Sequence, residues 1–247
     1  MLSYAGLGML LGAIGGLLGI GGGLLAIPVM GLVFGVDQQL AQGTALVMVV
    51  PNIMLALHRY HQHNPVRWRQ SLTLAVPGFC CSILGALLAV ALEARQMRGV
   101  FIGFLLLLSG YALFQAVVRP AAPRALEKLP GSTWLALLGA LSGLLGGLFA
   151  VGSSVVATPA LTTFWGLSQV VAQGLALALA VPSTCVALLT YALQGEVDWA
   201  MGIPLALGGL STVGYGVHWA HRLPERVLRL AFSLFLLVSA ALLLLRV

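Results

Sequence analysis

Gly15-Gly16-Leu17-Leu18-Gly19-Ile20-Gly21-Gly22-Gly23 is the stretch that decides the fold, because it interrupts a long apolar run and is followed by Pro28. Six of its nine residues are glycine, and each glycine costs a helix interior about 1 kcal/mol relative to alanine. The residues on both sides are too apolar for a loop in water. The sequence therefore predicts a break between two short helices, Tyr4 to Leu18 and Leu24 to Phe34, inside an apolar environment.

Composition identifies this environment as a lipid bilayer. Hydrophobic residues make up 60% of the 247 positions and charged residues only 7%, and the mean hydropathy is +1.04. Such values are typical of a chain that crosses a membrane several times rather than of a soluble domain. The formal net charge of +6 is the excess of cations expected in the loops of membrane proteins, so nucleic acid is not expected as a partner.

The second half of the chain repeats the first. Moving the sequence along itself by 131 positions aligns residues 12–109 with residues 143–240 without a gap, which indicates an internal duplication. Identical pairs that composition bias does not explain are Pro28/Pro159, Gln42/Gln173, Pro51/Pro182, Tyr60/Tyr191 and Trp68/Trp199. The first break has its counterpart at residues 146–154. We predict two transmembrane repeats, residues 1–118 and 133–247, joined by a hydrophilic linker at 119–132.

Three further apolar segments in each half have the length of a membrane span, for which about 20 residues are needed. They are residues 38–57, 70–92 and 99–118 in the first half and residues 169–193, 200–220 and 230–245 in the second. The predicted fold class is an all-α integral membrane protein. It has two inverted repeats, each with a glycine-broken segment, re-entrant or split into half-helices, and three transmembrane helices.

Loop charge favours the inverted arrangement. If each broken segment enters and leaves on one side, each half crosses the membrane an odd number of times. Nine basic residues then lie inside, while Glu93, Glu196 and Asp198 lie outside, in agreement with the positive-inside rule. If each half crossed four times, five basic residues would lie outside. The inverted arrangement also places both termini outside, in a multi-pass protein of the cell (inner) membrane.

The two breaks are the predicted binding site. Lipid offers no partner to the backbone N–H and C=O groups of a break, so protein, ligand or cavity water must provide one. Helices that begin near Gly22 and Ser153 present free N–H groups and a positive dipole end, and glycine lets a ligand approach closely. This combination favours a small oxyanion. The candidate binding residues are Gly19, Gly21, Gly22, Gly23, Gln42, Thr44, Asn52, Gly152, Ser153, Ser154, Gln173, Ser183 and Thr184.

Two alternatives stay open. In the first, the protein is a non-transporting membrane subunit or scaffold, and its glycines and polar residues serve only helix packing. In the second, it is a cation or metal transporter that uses the loop with His58, His61 and His63. These histidines have no acidic or thiol companion nearby, so we predict neither a metal site nor a cofactor. The sequence shows no catalytic constellation, and no charged residue near the middle of a predicted span, so we predict neither an enzyme nor a buried carboxylate relay.

In these features the sequence resembles the sulfite exporter TauE/SafE family over nearly its whole length. The resemblance rests on the glycine-rich residues 19–23 and the Pro28 that follows them, on residues 41–45 (Ala-Gln-Gly-Thr-Ala), and on Val66-x-Trp68. It rests also on the repetition of these features in the second half. It implies an inner-membrane permease for small sulfur oxyanions or organosulfonates, such as sulfite or thiosulfate, often in the export direction. We expect alternating access around a midplane site. Ser153 and Ser154 replace glycines of the first break, which predicts an asymmetric site.

Overall fold

The computed structural model describes residues 2–63, 68–118 and 131–244, which form ten α-helices and no strand. The helices are α1 Leu2–Leu18, α2 Gly23–Phe34, α3 Gln38–His63, α4 Trp68–Ala91, α5 Ala94–Val118, α6 Ser132–Phe149, α7 Ser154–Trp165, α8 Gln169–Leu193, α9 Trp199–Ala220 and α10 Glu225–Leu244. Helices α6 to α10 begin close to 131 positions after α1 to α5, so the halves repeat helix by helix. Of the predicted linker, residues 119–130 lie outside the described residues.

The helices have the lengths and surfaces of a membrane protein. Within the described residues, seven helices are long and apolar enough to span a bilayer, namely α3, α4, α5, α6, α8, α9 and α10. Helix α1, the counterpart of α6, has 17 residues, and α2 has 12. Large apolar side chains cover the outside, including Leu107 (79% exposed) and Phe164 (71% exposed). Such a surface suits lipid rather than water, and the predicted all-helical membrane architecture is confirmed.

Each broken segment folds back on itself as a helical hairpin. Near the start of α1, the Tyr4 ring contacts the Phe34 ring at the end of α2, with 4.9 Å between the ring centroids. In the second half, Trp134 near the start of α6 lines one groove together with Phe164 near the end of α7. The two ends of each broken segment therefore lie on the same side of the bundle.

Helices α3 and α8 cross in opposite directions at the centre. They are the most buried of the spanning helices. Tyr60, near the end of α3, donates a hydrogen bond to Gln173, near the start of α8, over 2.7 Å. Tyr191, near the end of α8, donates one to Gln42, near the start of α3, over 3.1 Å. Because the end of each helix contacts the start of the other, α3 and α8 are antiparallel.

Two glycine stripes fix the positions of α1 and α6. On α1 the stripe and its contacts on α9 are Gly8 with Leu205, Gly12 with Gly209, and Gly16 with Val213. On α6 the stripe and its contacts on α4 are Gly139 with Leu74, Gly143 with Gly78, and Gly147 with Ser82. A Cβ at any stripe position would collide with the backbone opposite, so the glycines permit close helix packing. Each half therefore packs its hairpin against a spanning helix of the other half.

The two ends of the bundle differ in the sign of their charge. The acidic end carries Asp37, Glu93, Glu196 and Asp198, together with Arg95 and Arg98. The basic end carries Arg59, Arg222, Arg226 and Arg229, together with Glu225. Hydrogen bonds connect α3 to the loops of the acidic end. Gln39 Nε2 donates to the Leu92 carbonyl over 2.7 Å, and the Asp198 amide donates to Thr44 Oγ1 over 2.9 Å.

Candidate binding site at the two helix breaks

The two breaks, residues 19–22 and residues 150–153, lie against each other inside the bundle. Gly23 begins α2, and a Cβ on it would lie 3.7 Å from the carbonyl oxygen of Ala150. Gly19, Gly21 and Gly22 are buried, and so are the residues of the second break. The breaks are therefore neighbours in space, although 131 positions separate them in the chain.

Left-handed backbone conformations explain why glycine occupies the breaks. Gly21 and Gly22 have φ values of 70° and 87°, and Gly152 has 82°, a region that residues with a Cβ rarely adopt. Among the described residues, Ala150 is the one non-glycine residue with positive φ, at 55°. Strained backbone of this kind clusters at binding sites, and here it lies at the contact between the two breaks.

The starts of α2 and α7 point positive dipole ends at this contact. No side chain caps the first turn of either helix. The N–H groups of a first turn have no partner within the helix, and the aligned peptide dipoles place about half a positive charge there. Two such ends beside each other attract a negatively charged ligand.

The first break is closed by side chains from α3 and α8. Asn52 Nδ2 donates to the Gly21 carbonyl over 3.3 Å, and Gln173 Nε2 donates to the Leu18 carbonyl over 2.8 Å. The Tyr60 hydroxyl lies 2.7 Å from Gln173 Oε1 and 3.4 Å from the carbonyl oxygen of Gly16. These three side chains are fully buried, and they satisfy the carbonyl groups that the break frees.

The second break is lined mainly by hydroxyl groups. Ser153 Oγ and Ser183 Oγ share a hydrogen bond of 2.5 Å. A Cβ on Gly152 would lie 3.7 Å from Thr184 Oγ1 and 3.8 Å from Ser154 Oγ. The Tyr191 hydroxyl donates to the Leu148 carbonyl over 3.2 Å and also contacts Gln42. Ser183 and Thr184 already donate their hydroxyl protons to carbonyl groups of α8. The donors left for an anion at this break are therefore the Ser154 hydroxyl and the N–H groups of the first turn of α7.

Each break therefore uses a glutamine from the other half. Gln173 of the second half contacts the first break directly, and Gln42 of the first half is joined to the second break through Tyr191. All buried polar side chains among the described residues are uncharged. Any ligand at the breaks is consequently held by neutral donors and helix dipoles.

The structure places eleven of the thirteen predicted residues at the two breaks and connects Gln42 to the second break through Tyr191; Thr44 is the exception. Thr44 lies nearer the acidic end, where its hydroxyl accepts from the amide of Asp198. Sequence reasoning missed Tyr60 and Tyr191 as site residues. Their identity at the same repeat position was the available signal, and their hydroxyl groups connect α3 and α8 to the breaks.

The histidine loop lies apart from the breaks, at the basic end. His58 Nε2 is 3.1 Å from Gln62 Nε2 in an exposed contact, and the side chain of His63 is outside the described part. Over the residues that are described, no group of three or more histidine, cysteine, aspartate or glutamate side chains is placed to hold a metal ion.

Known proteins are similar to this chain over most of its length. The family model described as "Sulfite exporter TauE/SafE" matches residues 4–243. Two proteins of Xylella fastidiosa, each named "Probable membrane transporter protein", are 28% identical over 224 residues (strain Temecula1) and 27% identical over 221 residues (strain 9a5c). Each alignment covers 87% of this chain and 84% of the relative. Because the family match includes both hairpins and both breaks, the chain belongs to the sulfite exporter TauE/SafE family, whose members are multi-pass membrane transporters and not enzymes.

Proposed function

We propose that this protein is a permease that moves a small sulfur-containing anion, such as sulfite, thiosulfate or an organosulfonate, across the cell membrane. The observation that carries the proposal is the contact between the two breaks, where α2 and α7 both begin. Two positive dipole ends attract an oxyanion. The absence of buried charge among the described residues lets the anion leave again, since no fixed cation holds it.

The proposed mechanism is alternating access between two inverted repeats around a site near the bilayer midplane. The antiparallel crossing of α3 and α8 supports the inversion. The hairpins support it as well, because Tyr4 and Phe34 lie towards the acidic end and Trp134 and Phe164 towards the basic end. In such a pair of repeats, exchanging the conformations of the two halves opens the same site to the other side.

Flux into proteoliposomes tests this proposal. The purified full-length chain is reconstituted, and uptake of sulfite, thiosulfate and taurine is measured with chloride as the reference anion, each with and without a proton gradient. We expect saturable flux of at least one sulfur anion and none in protein-free liposomes. A chain that moves none of them, and whose melting temperature in detergent rises with none of them, contradicts the proposal.

A packing scaffold is the second candidate, and the glycine stripes favour it. Gly12 and Gly143 lie against the backbone of a neighbouring helix and permit close helix packing. Glycines of this chain therefore also have a structural role. A scaffold would assemble and remain stable without any anion-dependent flux. The same reconstitution therefore separates the two candidates.

A further inference from the structure

The two breaks differ at a set of repeat-equivalent positions. In every pair the second break has a residue that is smaller or carries a hydroxyl group. The pairs are Gly22/Ser153, Gly23/Ser154, Ile27/Thr158, Val49/Ala180, Asn52/Ser183 and Ile53/Thr184. These six differences have one direction, although Gly19/Ala150 has the opposite one, and they change both the space and the polarity of one break relative to the other.

Space is the first difference. A Cβ on Gly21 would lie 2.5 Å from Ile53 Cγ2 and 3.0 Å from Val49 Cγ1, so side chains fill the face of the first break. The equivalent Gly152 has its nearest neighbours at 3.7 Å and 3.8 Å, and both are hydroxyl oxygens, those of Thr184 and Ser154. At Gly152 the second break therefore has room for a Cβ in ordinary van der Waals contact with polar atoms, whereas at Gly21 the first break has none.

Unused hydrogen-bond donors are the second difference. Among the described residues, five fully buried side-chain donors have no hydrogen-bond partner, and three of them are Gln42 Nε2, Ser154 Oγ and Thr158 Oγ1; the other two are Gln38 Nε2 and Ser142 Oγ. Ser154 and Thr158 are four residues apart on α7 and so share one face of it. Buried donors without a partner are rare because each is costly, and an oxyanion accepts hydrogen bonds from donors of this kind.

The first break lacks such donors. Gln173, the counterpart of Gln42, already donates its amide to the Leu18 carbonyl. The buried atom left without a partner there is Asn52 Oδ1, an acceptor, which repels an anion. Gly23 and Ile27, which stand where the second half has Ser154 and Thr158, carry no hydroxyl group. In the described part of the chain, donors without a partner are therefore found beside the second break and not beside the first.

We infer that the second break alone binds the anion, with the hydroxyl groups of Ser154 and Thr158 and the side-chain amide of Gln42 as donors, while the first break is its closed structural counterpart. The inference rests on the proposed transport of a sulfur oxyanion. It assigns the ligand to one side of the contact between the breaks, at the start of α7.

Equilibrium binding of sulfite and thiosulfate to the purified full-length chain, measured by calorimetry in detergent, tests the inference. Ser154→Ala removes one hydrogen bond to a charged ligand and should weaken binding about 10- to 100-fold. Thr184→Ile introduces the residue of the first break and should abolish binding by placing an apolar side chain against Gly152, whereas Thr184→Ser should retain it. If Ser154→Ala fails to fold, Ser154→Gly provides the same test with the residue that stands at Gly23.

Matched controls use the repeat itself. Ile53→Thr in the first break should leave the dissociation constant within about twofold, since that variant perturbs only the closed side. Ser109→Ala removes a buried hydroxyl outside both breaks that donates to the Ser233 carbonyl over 3.3 Å, and should also bind normally. Size-exclusion profiles and melting temperatures confirm that each variant is folded.

The outcomes separate this inference from the proposed function. If the wild type binds an anion and both Ser154→Ala and Thr184→Ile bind it as tightly, the one-sided site is wrong, but the proposed transport is not contradicted. The one-sided site is also wrong if Ile53→Thr weakens anion binding as strongly as Ser154→Ala does. A wild-type chain that binds neither sulfite nor thiosulfate overturns the inference and counts against the proposed function.

Discussion

Two tyrosine hydroxyl groups connect the halves at the residue scale. Tyr60 joins Gln173 to the carbonyl of Gly16, and Tyr191 joins Gln42 to the carbonyl of Leu148. Both rings are fully buried. Each hydroxyl thus ties a hairpin of its own half to the central helix of the other half, and both would have to adjust if the halves moved against each other.

Removing either hydroxyl should destabilise the protein. Tyr60→Phe leaves Gln173 Oε1 without its donor, and we expect the free energy of unfolding to fall by about 1–3 kcal/mol, the cost of a buried group left unpaired. Melting in detergent measures the change. Tyr111→Phe is the control, because the buried Tyr111 hydroxyl has no hydrogen-bond partner among the described residues. Equal melting temperatures for wild type and Tyr60→Phe would show that the bond contributes nothing.

Glu196 makes stability depend on pH at the acidic end. Burial raises the pKa of this carboxyl, and the negative charge of Asp37 raises it further. The folded state therefore favours the protonated form, so its contribution to stability is present at low pH and is lost as the pH rises through the raised pKa. Glu196→Gln removes that loss.

We expect Glu196→Gln to melt at a higher temperature than wild type at pH 7 and at the same temperature near pH 4, at about the usual pKa of a glutamate. Thermal unfolding across this range measures the difference. Glu93→Gln, a change at an exposed carboxyl of the same end, serves as the comparison. A constant difference between Glu196→Gln and wild type at every pH would assign the effect to packing instead of charge.

Particular residues show what sequence could predict at this scale. Gln42, Gln173 and Asn52 were expected near the breaks because they are polar residues inside apolar spans. Thr44 has the same character, yet it contacts the α8–α9 connection, since only tertiary packing decides which face of α3 points to the breaks. Tyr60 and Tyr191 were not expected as site residues, because aromatic rings in apolar runs are typical of packing.

At the scale of elements, the glycine-rich breaks were predictable from the local sequence, whereas only loop charge indicated that each broken segment returns to the side it starts from. Positive φ at Gly21 and Gly22 is a local requirement that the sequence displays directly, and α2 begins at Gly23, one residue before the predicted Leu24. A hairpin and a split span both agree with such a break. The contact between Tyr4 and Phe34 distinguishes them, and it is a tertiary contact that helix length alone does not indicate.

Helix packing should fail at the glycine stripes and tolerate change elsewhere. Gly12 lies against the backbone of Gly209, and a side chain there would collide with it. We expect Gly12→Leu to lower the free energy of unfolding by about 1–3 kcal/mol or more through overpacking. Gly110→Leu on α5 is the matched control, because nothing lies within 4 Å of a Cβ at Gly110. Melting temperatures and yields of monodisperse protein measure both variants, and similar losses in the two would contradict this packing role.

At the scale of the whole molecule, the repeats are interlocked rather than side by side. The α1–α2 hairpin packs on α9 and the α6–α7 hairpin packs on α4, and α3 and α8 exchange hydrogen bonds at both ends. The predicted boundary at residues 119–132 therefore separates repeats in the sequence, but not independent units in space. Alignment of the sequence with itself indicated the duplication and loop charge favoured its inversion, whereas the packing of each hairpin on the other half depends on the glycine contacts between halves.

The separation of charge between the two ends predicts how the molecule lies in the membrane. We expect the basic end, with Arg59 and Arg222, to face the cytoplasm, because cytoplasmic loops hold an excess of lysine and arginine. The acidic end, with Asp37 and Glu93, then faces outwards together with both chain termini. Each of these four side chains is exposed, so a cysteine introduced there is open to reagents.

Labelling intact cells with a membrane-impermeant maleimide tests this orientation. Asp37→Cys and Glu93→Cys should be labelled in intact cells, whereas Arg222→Cys should be labelled only after the membrane is opened. The parent chain, which retains the free Cys80, Cys81 and Cys185, gives the background. If Arg222→Cys is labelled in intact cells and Asp37→Cys and Glu93→Cys are not, the protein has the opposite orientation in the membrane. Equal labelling of Asp37→Cys and Arg222→Cys in intact cells would mean that the two ends do not face opposite sides, and would remove the charge argument for inverted repeats.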